Sequence, residues 1–394
     1  MRVRSVVYCA AEFEYTKCNT QEKGMNMKKL MDYLKGEAVL AVSLLAALLS
    51  MAVVPPDAAY AGYVDWDVLM LLFALMAVVA GLKRCGVMDR ICDMLVARAG
   101  SCRALGMALV LACFFSAMLV TNDVALITFV PLTVALLASK PGQLICAVSI
   151  ETIAANLGSM ATPIGNPQNL YLYAHYEMPM GQFLRAVGPL TVASLVLVLA
   201  LCLLLSGEKL AAPSQRAEAK PMDMRVLYLH GAQFAVCLLS VLGVMPKWAS
   251  FALVLASMLV YDRSLLLQVD YALLLTFVGF FVFVGNLGRV EAVSSLLGGV
   301  IAGREMEIGI LASQVISNVP AALMLSGFTQ DAAALMRGVD LGGLGTLVAS
   351  LASLISFKLY MRAPGAKAGR YLGVFTAMNI ASLAVLYVLA RLGL

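Results

Sequence analysis

Charge, histidine and paired cysteines are what this chain has least of, and each scarcity removes a class of function. Only 13% of its residues are charged, too few to dress the surface of a soluble protein of this length. With two histidines, and no HExxH, GxSxG or P-loop, it carries no signature of a metallohydrolase, a serine hydrolase or an ATPase. It does not read as an enzyme, and no cofactor is implied. The nine cysteines form no CxxC pair and no zinc-ligand spacing, so neither a disulfide framework nor a metal centre is indicated. The net charge of +5 lies in short connections between apolar runs, without a basic stripe, so it speaks for topology and against a nucleic-acid partner.

What is abundant is apolar. Hydrophobic residues make up 62% of the chain and the mean hydropathy is +0.90, with uncharged runs of about 20 residues, the length that crosses ~30 Å of hydrocarbon. The expected fold class is an all-α polytopic membrane protein in a lipid bilayer. Unbroken spans are expected at about 37–54, 66–86, 184–206, 225–245, 248–261, 270–288 and 371–391, and broken ones at about 142–176 and 342–361, nine in all. The stretches 105–138 and 306–333 differ. Each is two apolar halves around a polar tip, TND or SNVP, and halves of ~15 residues or fewer are too short to cross, so both read as re-entrant hairpins. MDRICDMLVARAG and AVSSLLGGVIAG, one before each hairpin, read as amphipathic surface segments.

The chain also spells one text twice. LGSMATPIGNPQNLYLY (Leu157 to Tyr173) aligns without a gap on LGTLVASLASLISFKLY (Leu344 to Tyr360), TNDVA faces SNVPA, and VDW faces VDY, all in the same order. This implies a first half at 37–206, a cytoplasmic linker at 207–224 and a second half at 225–394. Residues 1–36 read as a cytoplasmic N-terminal segment, with Met25 and Met27 as alternative starts. The positive-inside rule places the N-terminus in the cytoplasm and the C-terminus outside a cell (plasma or inner) membrane. Five crossings then separate the copies, an odd number, so the repeats are inverted. Duplicated, interrupted helices in a membrane chain point to a secondary transporter whose site lies where the breaks meet.

A hairpin tip inside hydrocarbon must line a cavity or be wrapped in protein. That puts Asn122 and Asn318, the centres of the tips Thr121 to Asp123 and Ser317 to Asn318, near the midplane. Restarting helices there present N–H groups suited to an anion, while side-chain oxygens suit Na+. The plainer alternative is that Asn122, Asp123 and Ser317 only cap helices. In the break Ala161 to Asn169, Thr162, Asn166, Gln168 and Asn169 offer further ligands. The copy offers Ser350, Ser353 and Ser356, for which tight helix packing is an equal alternative. Asp123 and Glu151 are candidate proton carriers, Glu151 alternatively lying near the cytoplasmic surface. Lys358 reads as a snorkelling side chain or, alternatively, as a stand-in for a bound cation in the second half. His175 and His230 suggest no role.

At these residues the chain resembles the ion transporter superfamily, over nearly its whole length from about Glu37. MATPIGNPQN resembles the signature of its anion permeases, including the divalent anion:sodium symporters and citrate-transporter-like proteins. NDVALITFVPL, SNVPAAL and LGTLVASLAS are closer to the arsenite-permease-like branch. The resemblance implies a fold of inverted repeats with hairpins, often a homodimer, that carries a small anion by an elevator movement. By motif it implies a first cation site at Thr121, Asn122, Asp123, Thr162, Gly165 and Asn166, and a second at Ser317, Asn318 and Ser350 to Ser356. Val319-Pro320 stands where the symporters have Thr, and their second Thr-Pro-Pro-Asn motif is missing, which weakens the implication of a second sodium ion and of a dicarboxylate. The expected function is secondary transport of a small inorganic or carboxylate anion coupled to Na+ or H+. The alternatives are a Na+/H+ antiporter and an arsenite-type efflux permease.

Overall fold

The computed structural model describes residues 37–98, 100–209 and 223–393. The N-terminal segment 1–36, with the question of its start, and most of the linker lie outside the described residues. Those residues form seventeen α-helices and no strand. In the first half these are α1 (Ala38–Val53), α2 (Trp66–Arg84), α3 (Val87–Arg98), α4 (Cys102–Val120), α5 (Asn122–Leu137), α6 (Pro141–Ser159), α7 (Pro167–His175) and α8 (Met180–Leu201). The second half has α9 (Met224–Val241), α10 (Lys247–Tyr261), α11 (Tyr271–Arg289), α12 (Glu291–Ile301), α13 (Glu305–Ile316), α14 (Asn318–Ser326), α15 (Ala332–Gly342), α16 (Leu351–Tyr360) and α17 (Ala368–Arg391).

Six of them, α2, α4, α8, α9, α11 and α17, are long and apolar enough to cross a membrane. The chain is an all-α polytopic membrane protein. Its outward faces carry Leu45, Leu48 and Leu49 on α1, Val192 and Val196 on α8, and Val385 and Val388 on α17, all exposed, as helices surrounded by hydrocarbon require. The expected spans 37–54 and 248–261 appear as the shorter α1 and α10, of 16 and 15 residues. One expectation is corrected. The arms of the first tip exceed the ~15 residues expected, because Ser101 accepts from the Ala104 N–H (3.1 Å) and starts α4 early, giving it 19 residues. The arms of the second tip, α13 and α14, have only 12 and 9.

Buried apolar side chains form two clusters, one built on α4, α5, α6, α8, α16 and α17, the other on α2, α7, α9, α10, α11, α14 and α15. Small residues let the helices close up where lipid supplies no hydrophobic drive. A Cβ at Gly158 of α6 would lie 2.1 Å from the Phe114 carbonyl oxygen of α4, and one at Gly279 of α11 would lie 2.8 Å from Ser43 Oγ of α1. His230 packs on Gly81 of α2 and bonds Gln233, which donates to Ser257 of α10 (2.6 Å), so it fastens helices. Outside the apolar zone, Arg289 pairs with Asp57 at 2.8 Å and holds that carboxyl below its ordinary range.

Candidate functional site

Each half contains two helices that meet at a sharp tip and one helix that is interrupted. At the tips, Thr121 has φ 75° and ψ 151°, and Ser317 has φ 74° and ψ 155°. This backbone region is nearly reserved for glycine and costs a side-chain-bearing residue about 1–3 kcal/mol. That two residues with a Cβ accept it at corresponding places marks both tips as held by their surroundings. Neither side chain caps the helix it precedes, so capping does not explain Ser317. The N-terminal N–H groups of α5 and α14 are left uncapped by either side chain.

The first interruption runs from Met160 to Asn166. Pro163 and Pro167 deny the chain helical hydrogen bonds there, and α7 restarts with Asn166 Oδ1 accepting from the Asn169 N–H at 2.8 Å. The second interruption runs from Gly343 to Ser350, and α16 restarts with Ser350 Oγ accepting from the Ala352 N–H at 3.2 Å. Around these two caps the same contacts recur. Thr162 Oγ1 donates to the Met118 carbonyl (2.5 Å) as Thr346 Oγ1 does to that of Gln314 (3.3 Å). The Asn122 N–H donates to the Gly165 carbonyl (3.2 Å), and Ser317 Oγ donates to the Ala349 carbonyl (3.4 Å). The cap Ser350 therefore answers to Asn166. In the gapless alignment Asn166 faced Ser353 instead, so the register at the break moves by three residues.

The halves then cross over. Asn156 Oδ1 accepts from Asn122 Nδ2 of its own half (3.1 Å) and from Ser350 Oγ of the other (3.0 Å), while its Nδ2 donates to the Gly343 carbonyl (3.3 Å). Asn166 Nδ2 donates to Ser159 Oγ (3.1 Å) and across to Asp340 Oδ1 (3.3 Å). Asn156 and Asp340 lie equally far upstream of their caps, so the pairs Asn156 with Ser350 and Asp340 with Asn166 are the same contact made in both directions. Asn122, Asn156, Asn166, Ser350, Asn318 and Asp340 are all buried. A Cβ at Gly343 would sit 3.0 Å from Asn318 Nδ2, so the second tip reaches the same place.

The sequence-derived residues thus divide. Thr121, Asn122, Thr162, Gly165, Asn166, Ser317, Asn318 and Ser350 come together at the crossing. Asp123 follows the first tip, with Oδ1 buried and unpartnered. Asn169, Ser353 and Ser356 are buried on the restarting helices, each with an unpartnered oxygen. Glu151 is fully buried on α6, not at a surface, and accepts from Thr133 of α5. Lys358 is exposed in the last turn of α16, and His175 stacks on Tyr171 at 5.1 Å. Asn156, Asp340 and Gln314 are additions. The signal for Asp340 was an acid inside the apolar run LMRGVDLGGLG, beside a glycine pair.

A family model described as citrate transporter matches residues 30–353. The chain belongs to the citrate transporter family. Among its curated relatives, inner membrane protein YbiR of Escherichia coli is 30% identical over 75% of this chain and 80% of its own length. An uncharacterized transporter of Methanocaldococcus jannaschii is 31% identical over 84% of this chain and 90% of its own. A silicon efflux transporter of Oryza sativa subsp. japonica is 31% identical over 46% of this chain and 38% of its own. This citrate transporter family member is a multi-pass membrane transporter, and the crossing of its interrupted helices lies inside the matched segment.

Proposed function

We propose that the protein is a secondary active transporter for a small inorganic or carboxylate anion, coupled to Na+ or H+. The observation that carries this reading is the convergence of four helix N-termini. Asn122 at the start of α5 bonds beside the cap of α7, Ser317 before α14 bonds beside the cap of α16, and Asn156 joins the two pairs. Each N-terminus presents about half a positive charge, although Asn166, Ser350 and Asn122 already take one N–H each at the starts of α7, α16 and α5, and four together in a buried place suit an anion. Carboxylates and amide oxygens at the same crossing suit a coupling cation. The matching family model names citrate, a small carboxylate, and one relative is named for silicon efflux, which supports a small-solute transporter.

In this reading the halves are inverted repeats, the tips belong to re-entrant hairpins, and the N-terminus is cytoplasmic and the C-terminus outside. Alternating access is of the elevator type, and the coupling ion drives it by binding one occupancy state preferentially. The test is uptake of labelled sulfate, phosphate, succinate, citrate and arsenite into proteoliposomes, with and without an inward Na+ or H+ gradient. The expected result is gradient-dependent accumulation of one anion, abolished by Asn122→Ala. Cation exchange without anion movement, lost in Asp123→Asn, would instead establish an antiporter.

A further inference from the structure

The two halves place different chemistry at one corresponding position. In the first half it is Asn156, whose oxygen takes two hydrogen bonds and whose nitrogen gives one, so its bonding capacity is largely met inside the protein. In the second half it is Asp340. Its Oδ1 accepts from Asn166, the amides of Gln168 and Asn169 also face the carboxyl, and its Oδ2 is buried with no partner. The residue is 3% exposed. One turn beyond Asn166, Asn169 Oδ1 is likewise buried and unpartnered.

A buried carboxylate oxygen without a donor or counter-charge is costly, and an uncharged Asn does the corresponding work in the other half. The acid is therefore not required by the architecture. Oxygen ligands of this kind, one of them charged, match a small hard cation. The other buried acids are placed differently. Glu151 is enclosed between α5 and α6 and engaged by Thr133, Glu305 accepts from the Gly303 N–H and Thr329 of its own half, and Asp123 is partly open; none is bonded across the two halves as Asp340 is.

We propose that Asp340 supplies the charged ligand of a sodium site at the crossing, with Asn166 orienting the carboxylate across the half boundary and Asn169 contributing its amide oxygen. This rests on the transport reading and assigns its coupling ion. Bound there, Na+ neutralises the acid and ties the second half's interrupted helix to the first half's, so occupancy and the relative placement of the halves are linked.

The experiment uses the full purified chain in detergent at fixed pH and ionic strength, with NaCl titrated against choline chloride and thermal unfolding as the readout. Wild type is expected to show a saturable Na+-dependent rise in midpoint, and Asp340→Asn, which keeps the side-chain shape, to lose it. Asn166→Ala keeps the charge and serves if Asp340→Asn does not fold; its half-saturating Na+ concentration should rise about tenfold, the usual effect of losing a group that orients a ligand. An unchanged Na+ response in either variant overturns the proposal. So does a wild type stabilised by acid but indifferent to Na+, which would make the acid a proton site. A wild type that moves an anion in proteoliposomes yet ignores Na+ removes this site and leaves the transport reading intact. One that shows the Asp340-dependent Na+ response but moves no solute supports the site and removes the transport reading.

Discussion

The two interruptions reach one backbone outcome by different means. The first is written locally, by Pro163 and Pro167 and by Gly165, where a Cβ would fall 2.1 Å from the Ser159 carbonyl oxygen. The second has no proline and is held from outside. Gln314 of α13 donates to the Gly342 and Leu344 carbonyls (both 2.9 Å) and accepts from the Thr346 N–H (2.9 Å). Gly345 beside it adopts φ 111°, where a side chain would strike the Gln314 amide. The residue at Gln314's place in the first half is Met118, which gives only its backbone carbonyl. A broken helix can thus be imposed by its own sequence or by a neighbour that occupies its orphaned groups, and only the first kind announces itself in the residues that break.

That difference predicts unequal responses. The largest effect is expected from Gly165→Ala, where the new methyl meets backbone that cannot move aside, at a cost of about 3 kcal/mol or more. Ala349→Gly, its counterpart, should change little. Yield of monodisperse protein and the unfolding midpoint report this, and equal losses in the two variants would show that the first turn is no tighter than the second. Next comes Gln314→Met, which installs the first half's residue and orphans three backbone groups, costing about 2–3 kcal/mol. Hydrogen exchange should rise over residues 343–350 and not over 160–166; protection unchanged in 343–350 would mean that the second interruption holds itself. The smallest effect belongs to the tips. Thr121→Gly should stabilise by roughly 1 kcal/mol as strain is relieved. Ser317→Gly, which also loses the bond to Ala349, should come out near zero, and a larger gain for Ser317→Gly would reverse that ordering.

Much of this is legible in the amino-acid sequence. Both tips were marked by TND and SNVP, because polar residues between apolar arms have few other uses in a membrane, and the first interruption by its prolines. The shared Leu-Gly and Leu-Tyr pairs anchored the gapless comparison of the halves, and they misled. In a chain so rich in Leu, Gly and Ala such identities carry little register information, and the interruptions differ in how they end. The three-residue offset set Asn166 against Ser353 and hid the correspondence of Asn156 with Asp340. Gln314 was illegible because its task is defined by a segment about thirty residues away, and the length of α4 because its start depends on a single serine cap.

The oxygen of Asn156 accepts at once from the tip of its own half and from the restarting helix of the other. Two doors hung on one latch cannot be worked separately. Whatever draws Asn122 away leaves Ser350 with an unshared partner, and whatever draws Ser350 away does the same for Asn122, so at this acceptor each half registers the other's displacement directly, with no relay of side chains between them.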